Sequence, residues 1–350
     1  MGLKAIAFSA AFAAIAASRA DRWLRPLARG EGVILMFHQV RPWHERPFAP
    51  NRLLEITPEF LDRTLGMLRA MDFDIVPLDD LPGRLAEPRG RPFAVLTFDD
   101  GYRDNRDYAA PVLRRHEAPW TLYVATDYAD GTGQLWWIEL EEAIARSDSL
   151  VMRQADGSEL RLPAETPAQK AAAFERIYWD LRGGPEPAMR DEIARLAAEA
   201  GIDRAALVRE NCLSFDELRA LRDEPGLTIA AHTLSHPMLA KHDEPTARRE
   251  IAESGRRIAA ELDCDIRHFA YPVGDPGSAG PREFALAREA GYATAVTTRR
   301  GHVFREHAKH LTALPRVSIN GSYQSESALR GLLSGVAYLA FNPLRRADLS

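Results

Sequence analysis

Phe93-Ala94-Val95-Leu96-Thr97-Phe98-Asp99-Asp100-Gly101-Tyr102 is a short apolar run that stops at two adjacent carboxylates and a glycine. A run of this length, rich in Val, Leu and Phe, reads as a strand buried on both faces, and Asp-Asp-Gly marks its end. Core strands of α/β proteins deliver their carboxyl-terminal side chains into the crevice where ligands bind, so two acids at that end face a site. Taken alone, the tripeptide reads more readily as a solvated turn, because Asp and Gly are common turn residues. The decision rests on what other strand ends carry.

Val33-Ile34-Leu35-Met36-Phe37 reads as an earlier strand with His38 at its carboxyl end. Thr57-Pro58-Glu59 opens a helix whose apolar stripe is Phe60, Leu61, Leu65 and Leu68. Short strands at 74–76 and 120–125 and a helix over 105–115 continue a β-α-β-α alternation, the pattern of a parallel sheet or barrel. The alternation resumes at the capping box Ser214-Phe215-Asp216-Glu217. Strands at 227–231, 268–271, 293–297 and 314–319 follow, spaced by helices over 244–262 and 281–290. The fold class expected is α/β, a distorted (β/α) barrel of seven or eight strands within residues 31–320.

Residues 131–211 interrupt that rhythm as a mainly helical insertion. It holds helices over 135–145, 167–181 and 187–200, and a hairpin over 150–162 turning at Asp156-Gly157. Such excursions shape or cover a groove. Trp136-Trp137 at its start could stack on a sugar ring or fill the insertion's base, since a Trp buries a large apolar area wherever it packs.

With 350 residues, 46% hydrophobic and 27% charged, the composition is that of a globular protein with room for a large core. A net charge of −5 argues against a broadly basic nucleic-acid surface. Cys212 and Cys264, with no Cys-x-x-Cys, suggest neither a disulfide framework nor a thiolate zinc site and read as buried thiols. Residues 1–30 form an apolar to amphipathic segment with two open readings. Lys4, the Ala-rich run and Ser18-Arg19-Ala20 resemble a signal peptide for export to the periplasm; Arg19, Asp21, Arg22, Trp23 and Arg25 continue it as a retained amphipathic helix would, in a cytoplasmic or peripherally membrane-associated protein. The tail, 321–350, is apolar over 331–344 and ends in Arg345-Arg346; it packs on the domain or lies on a membrane surface.

His232-Thr233-Leu234-Ser235-His236 supplies the second half of a site. Two histidines four apart fall on one face of a helical turn, where both imidazoles reach one ion. The pair begins at the end of one expected core strand and Asp99-Asp100 ends another, so one barrel would bring all four to the same mouth. Two histidines and one carboxylate hold a divalent metal with positions left for water and substrate. Water on such an ion loses its proton near neutral pH. A base is needed beside it, and adjacent Asp side chains diverge, so one can coordinate while the other takes the proton.

Thr-Phe-Asp-Asp-Gly-Tyr at 97–102, His-Thr-x-x-His at 232–236 and Phe-Ala-Tyr-Pro-x-Gly at 269–274 together resemble the polysaccharide deacetylase superfamily. That group includes nodulation chitooligosaccharide deacetylases, peptidoglycan and chitin deacetylases and the biofilm poly-N-acetylglucosamine deacetylases. The resemblance implies Asp99 as general base, Asp100, His232 and His236 as ligands of a divalent metal, usually zinc, and Tyr271 lining the groove and offering its backbone amide to the oxyanion. It implies removal of N-acetyl groups from N-acetylglucosamine-containing oligo- or polysaccharide, with a metal-dependent deacylase of a non-sugar amide as the alternative. Two departures stand out. The arginine that orients the base has only Arg267 nearby and Arg316 as a more distant candidate. No Leu-x-His supplies the general acid: His302, His307 and His310 read as solvated loop residues, and His38, at a core strand end, resembles the early His motif of the biofilm deacetylases. A structural capping role for His38 stands beside that reading.

Overall fold

The computed structural model describes residues 3–87, 90–154, 157–339, 342 and 347–349. In chain order its named strands are β1 (Gly32–Phe37), β2 (Asp74–Ile75), β3 (Phe93–Phe98), β4 (Trp120–Val124), β5 (Ser149–Arg153), β6 (Glu159–Pro163), β7 (Leu227–Ala231), β8 (His268–Ala270), β9 (Thr294–Arg300) and β10 (Leu314–Ser318). All pairings among β1, β3, β4, β7, β8, β9 and β10 are parallel, and β1 pairs with both β10 and β3, closing a seven-stranded barrel. β2 adds an eighth strand along the start of β3. The expected barrel is therefore observed.

Parallel strands covered on both faces need apolar residues at every position, and β1 and β3 are buried throughout. Alternation then sorts the side chains. Ile34, Val95, Tyr123, Ala230, Ala270, Val296 and Leu314 form a small cluster inside the barrel. Val33, Leu35, Phe37, Ala94, Leu96 and Phe98 belong to the larger layer beneath the outer helices. One such helix, α2 (Pro58–Ala70), buries Phe60, Leu61, Leu65 and Leu68, and the Thr57 hydroxyl caps it by accepting from the Phe60 amide at 3.2 Å. The Ser214–Glu217 capping box forms as expected.

The insertion leaves the barrel after β4 and builds its own core. It comprises α3 (Trp136–Ala145), the β5–β6 hairpin, α4 (Pro167–Gly183), α5 (Glu186–Glu199) and a short helix at Arg204–Asn211. Trp136, Trp137, Leu140, Ile144, Phe174, Ile177, Met189 and Ile193 are buried together there. Asp156, expected in the hairpin turn, lies outside the described residues. Arg103 pins the insertion's far end to the barrel by donating to the carbonyls of Arg209 and Cys212 and pairing with Glu217.

At the amino terminus α1 (Leu3–Ala17) lies against α7 (Glu326–Leu333); between them in the chain comes α6 (Glu244–Leu262). Phe12 is buried, meets the Tyr323 ring edge-on at 5.5 Å, and would be struck by any Cβ placed on Gly331. Asp21 pairs with Arg330 at 3.1 Å. No described helix is long and apolar enough to cross a membrane. Of the apolar tail, Leu333 is buried, whereas residues 340, 341 and 343–346, including Arg345 and Arg346, lie outside the described residues.

Three expectations are corrected. Cys212 is buried but Cys264 is exposed, because it sits just past the end of α6, where the chain turns at Asp263. His302 and His307 are buried, not solvated: His302 Nε2 meets the Leu332 carbonyl at 2.9 Å and His307 Nδ1 accepts the Phe304 amide at 2.9 Å. The charged loop that carries them folds inward under the C-terminal segment.

Candidate active site

The side chains of β1, β3, β7 and β10 that face the barrel interior are Ile34, Val95, Ala230 and Leu314. Stepping two residues at a time keeps the face, so His38, Thr97, Asp99, His232 and Arg316 point the same way. Register sets their height. β1 and β3 run level from Gly32 opposite Phe93 to Phe37 opposite Phe98, placing His38 beside Asp99. β4 and β7 pair from Trp120–Leu227 to Val124–Ala231, so His232 emerges at that same mouth. Asp100 has the opposite parity; its backbone turns into the left-handed region, φ 71°, and brings the carboxylate back over the mouth.

Asp99 is buried and held by Arg316, which is itself fully buried on β10. Arg316 Nη1 donates to Asp99 Oδ1 and Nη2 to Oδ2, both at 2.7 Å, a two-pronged pair. Arg316 Nε donates to the Thr297 carbonyl, and Nη1 donates also to Thr97 Oγ1. Burial alone would raise the Asp99 pKa, but Arg316 outweighs it, and the net shift is downward. His38 Nε2 lies 3.9 Å from Asp99 Oδ2, and its side chain is 19% exposed, the part of the cluster open to the outside. Arg267, the nearer arginine in the sequence, pairs with Asp79 elsewhere.

Asp100, His232 and His236 form the second group. His232 Nδ1 lies 2.7 Å from the Ala270 carbonyl, which can only accept, so Nδ1 carries a proton and Nε2 is the nitrogen turned toward Asp100. Asp100 Oδ1 stands 3.4 Å from His232 Nε2 and 3.3 Å from His236 Nε2. This oxygen is buried and has no hydrogen-bond partner. All three ligand atoms lie within 4.8 Å of one another. Ligands bound tetrahedrally at about 2.0–2.1 Å stand about 3.3–3.4 Å apart, so the donor set and its orphaned oxygen fit a divalent ion. Burial would raise the Asp100 pKa, yet the two imidazoles take it well below the usual carboxylate range. Burial lowers the His236 pKa against the pull of Asp100, keeping the ring neutral as ligation requires.

The histidines do not share a helical turn. Residues 232–236 form an irregular loop in which Thr233 and His236 hold φ of 68° and 58°. Its shape is imposed from outside. Glu250 on α6 accepts from the amides of Leu234 and Ser235 at 2.9 and 3.0 Å and from Ser235 Oγ at 2.9 Å. Arg190 on α5 donates to the His236 carbonyl at 2.7 Å, and Glu186 accepts the Met238 amide at 2.7 Å. Trp137 and Tyr128 pack against the His236 ring at 5.1 and 5.7 Å. The insertion therefore helps to position the 232–236 loop.

Two expected site residues fall elsewhere. Tyr271 is fully buried, its hydroxyl donates to the Thr312 carbonyl at 2.8 Å, and its amide donates to the Val296 carbonyl at 3.1 Å. The next sheet strand takes that amide, so neither groove lining nor oxyanion donation comes from Tyr271. Trp136 is 4% exposed, edge-on to Trp137 and tilted on Tyr178, and fills the insertion's base instead of offering a face to a sugar. Val273 was not singled out from the sequence. It holds φ 59°, a strained conformation for a β-branched residue, directly past the end of β8. Tyr271 N–H is spent, Pro272 has none, and Gly274 donates to Pro272, so of residues 271–274 Val273 carries the free amide. The Pro-x-Gly sequence was the available signal.

None of the curated proteins matches the sequence. Several solved structures share the fold. The Streptococcus pyogenes deacetylase PplD, solved with acetate, matches with a TM-score of 0.55 and 17% identity over 86% of this chain and 97% of that one. BC0361, a polysaccharide deacetylase from Bacillus cereus, matches with a TM-score of 0.52 and 15% identity over 85% of this chain and 68% of that one. IcaB from Ammonifex degensii is a looser likeness, with a TM-score of 0.45 and 18% identity over 77% of this chain and 85% of that one. The polysaccharide deacetylase family model matches residues 86–160 and 191–295. Those two stretches contain Asp99, Asp100, His232 and His236 and make up just over half of the sequence, so the chain belongs to the polysaccharide deacetylase family.

Proposed function

We propose that the protein is a metal-dependent N-deacetylase of N-acetylglucosamine-containing oligo- or polysaccharide. The observation that carries this reading is the division of labour between adjacent acids: Asp99 bound to Arg316, Asp100 Oδ1 left without a hydrogen bond facing the Nε2 atoms of two imidazoles. Asp100, His232 and His236 would hold the ion, with zinc the best match to the donor set, and when bound it supplies Lewis-acid polarisation of the acetamide carbonyl. Asp99, ionised and fixed by Arg316, takes a proton from the attacking water as oxygen bonds to the carbonyl carbon. The Val273 amide is the backbone donor available to the developing oxyanion. His38 then gives a proton to the departing nitrogen as the C–N bond breaks, leaving acetate and a free amine. Acetate release from chitooligosaccharides, with and without chelator and after return of stoichiometric zinc, tests the proposal. Acetate release from acylated non-sugar amides alone would move the substrate class, and chelator-resistant turnover would remove the metal.

A further inference from the structure

Large aromatic side chains are mostly buried, so an exposed tryptophan held in place by its neighbours is informative. Trp179 on α4 is 58% exposed, and its indole N–H donates to Glu175 Oε2 at 2.9 Å. Its ring meets that of the half-buried Tyr178 at 5.0 Å. The Arg182 guanidinium lies 5.6 Å from both ring centres, donates to the Tyr178 hydroxyl at 2.9 Å and pairs with Asp275. One wall is thus aromatic, and beside it stand a cation and a carboxylate.

Two routes join this platform to the catalytic mouth. From His236, rings follow one another through Trp137 at 5.1 Å, Trp136 at 5.5 Å, Tyr178 at 5.6 Å and Trp179 at 5.0 Å. On the barrel side, Asp275 lies two residues beyond Val273 in the turn that rims the site. α4 lies between the two stretches that match the family model, so the platform belongs to this chain's own insertion.

We propose that Trp179, with Tyr178, Arg182 and Asp275, is a carbohydrate subsite that stacks a pyranose ring of the polymer beyond the residue being deacetylated. This rests on the deacetylase reading of the site. A pyranose offers an apolar C–H face to the indole and hydroxyls at its edge to the Arg182–Asp275 pair, the combination that apolar sites with a few placed polar groups recognise. A short substrate held at the mouth does not extend to it. The platform therefore selects for chain length and leaves the chemical step alone.

The test compares the full chain with Trp179→Ala and Trp179→Tyr, using fully N-acetylated chitohexaose and diacetylchitobiose as substrates. Trp179→Ala is expected to raise KM for chitohexaose about three- to tenfold, the scale of one aromatic stacking contact, with kcat and the diacetylchitobiose constants held and Trp179→Tyr restoring most of the loss. Equal effects on both substrates, or none on either, would overturn the subsite. If the unmodified protein releases no acetate, the deacetylase reading fails, and calorimetric binding of chitohexaose decides the subsite separately. Binding weakened about three- to tenfold by Trp179→Ala supports it, while unchanged or undetectable binding to the unmodified protein overturns it.

Discussion

Replacing Arg316 by Gln probes the proposed base, Asp99, directly. Asp99 is 2% exposed and Arg316 1%, and their two 2.7 Å bonds are each carboxylate oxygen's link to a cation. Removing one partner of a buried pair leaves an uncompensated charge and costs about 3–5 kcal/mol. The sign with pH follows from the shift. In the unmodified protein the folded pKa of Asp99 lies below its ordinary value, so the pair's stabilisation is present above the unfolded pKa of about 3.9 and is lost as pH falls through the folded value. Without Arg316 the burial contribution that opposes the shift is left in charge, and the folded pKa rises above the unfolded one. The variant's deficit is then largest near neutral pH and shrinks on acidification, as Asp99 takes up a proton. Chemical denaturation across pH 4–8 measures the deficit, and the pH dependence of kcat/KM should show its acidic limb displaced upward in the variant by at least about one unit, equivalent to about 1.4 kcal/mol. Asp99→Asn with Arg316→Gln should regain most of the stability and stay inactive, since neither partner is then a buried lone charge. A deficit independent of pH, with an unmoved acidic limb, would refute the claim that Arg316 sets the charge state of Asp99.

His38→Asn should lower kcat by about 10²–10⁴ without changing metal content, the range for losing one acid–base group; an unchanged rate would return the acid role to another residue. His236→Ala should abolish tight zinc binding, measured by elemental analysis after dialysis, and retained stoichiometric metal would disprove the ligand set. Glu250→Ala strips the acceptor from two amides and a hydroxyl of the 232–236 loop, so zinc affinity measured against a competing chelator should fall about 10–100-fold. Affinity within twofold of the unmodified protein would show that the loop holds its shape unaided.

The barrel and most of its mouth were legible because they depend on local pattern. Runs such as Phe93–Phe98 and Leu227–Ala231 are apolar for a reason that operates within the strand, and period two then assigns His38, Asp99, His232 and Arg316 to one face once closure is known. Arg316 was weakly signalled because its partnership with Asp99 spans 217 positions and depends on how β10 closes against β1. The helical turn expected for His232 and His236 failed for a related reason. Spacing of four satisfies a helix, but Glu250, Arg190 and Thr233 at φ 68° satisfy the loop's amides and carbonyls in another shape. Tyr271 misled because the motif marks the turn and not which amide in it is free; that is fixed by the Val296 carbonyl on the neighbouring strand.

Backbone strain ties these observations together. Among the described residues, non-glycine positions with φ in the left-handed region include Asp100, Thr233, His236 and Val273, all at the barrel mouth. Each such conformation costs about 1–3 kcal/mol and persists only where its surroundings over-determine it. For Thr233 and His236 the surroundings are identifiable: Glu250 from the barrel's own α6, Arg190 and Glu186 from the insertion, and the Trp137–Tyr128 wall against the His236 ring. An Asp100 oxygen left without a hydrogen bond beside two imidazoles is unfavourable unless it has a cation to face. The insertion thus does two jobs from one packed core. Its helix α5 braces the 232–236 loop against relaxation, and its helix α4 carries Trp179, the proposed polymer contact. Loosening that core should weaken the proposed metal site and the proposed polymer subsite together, although the two share no residue.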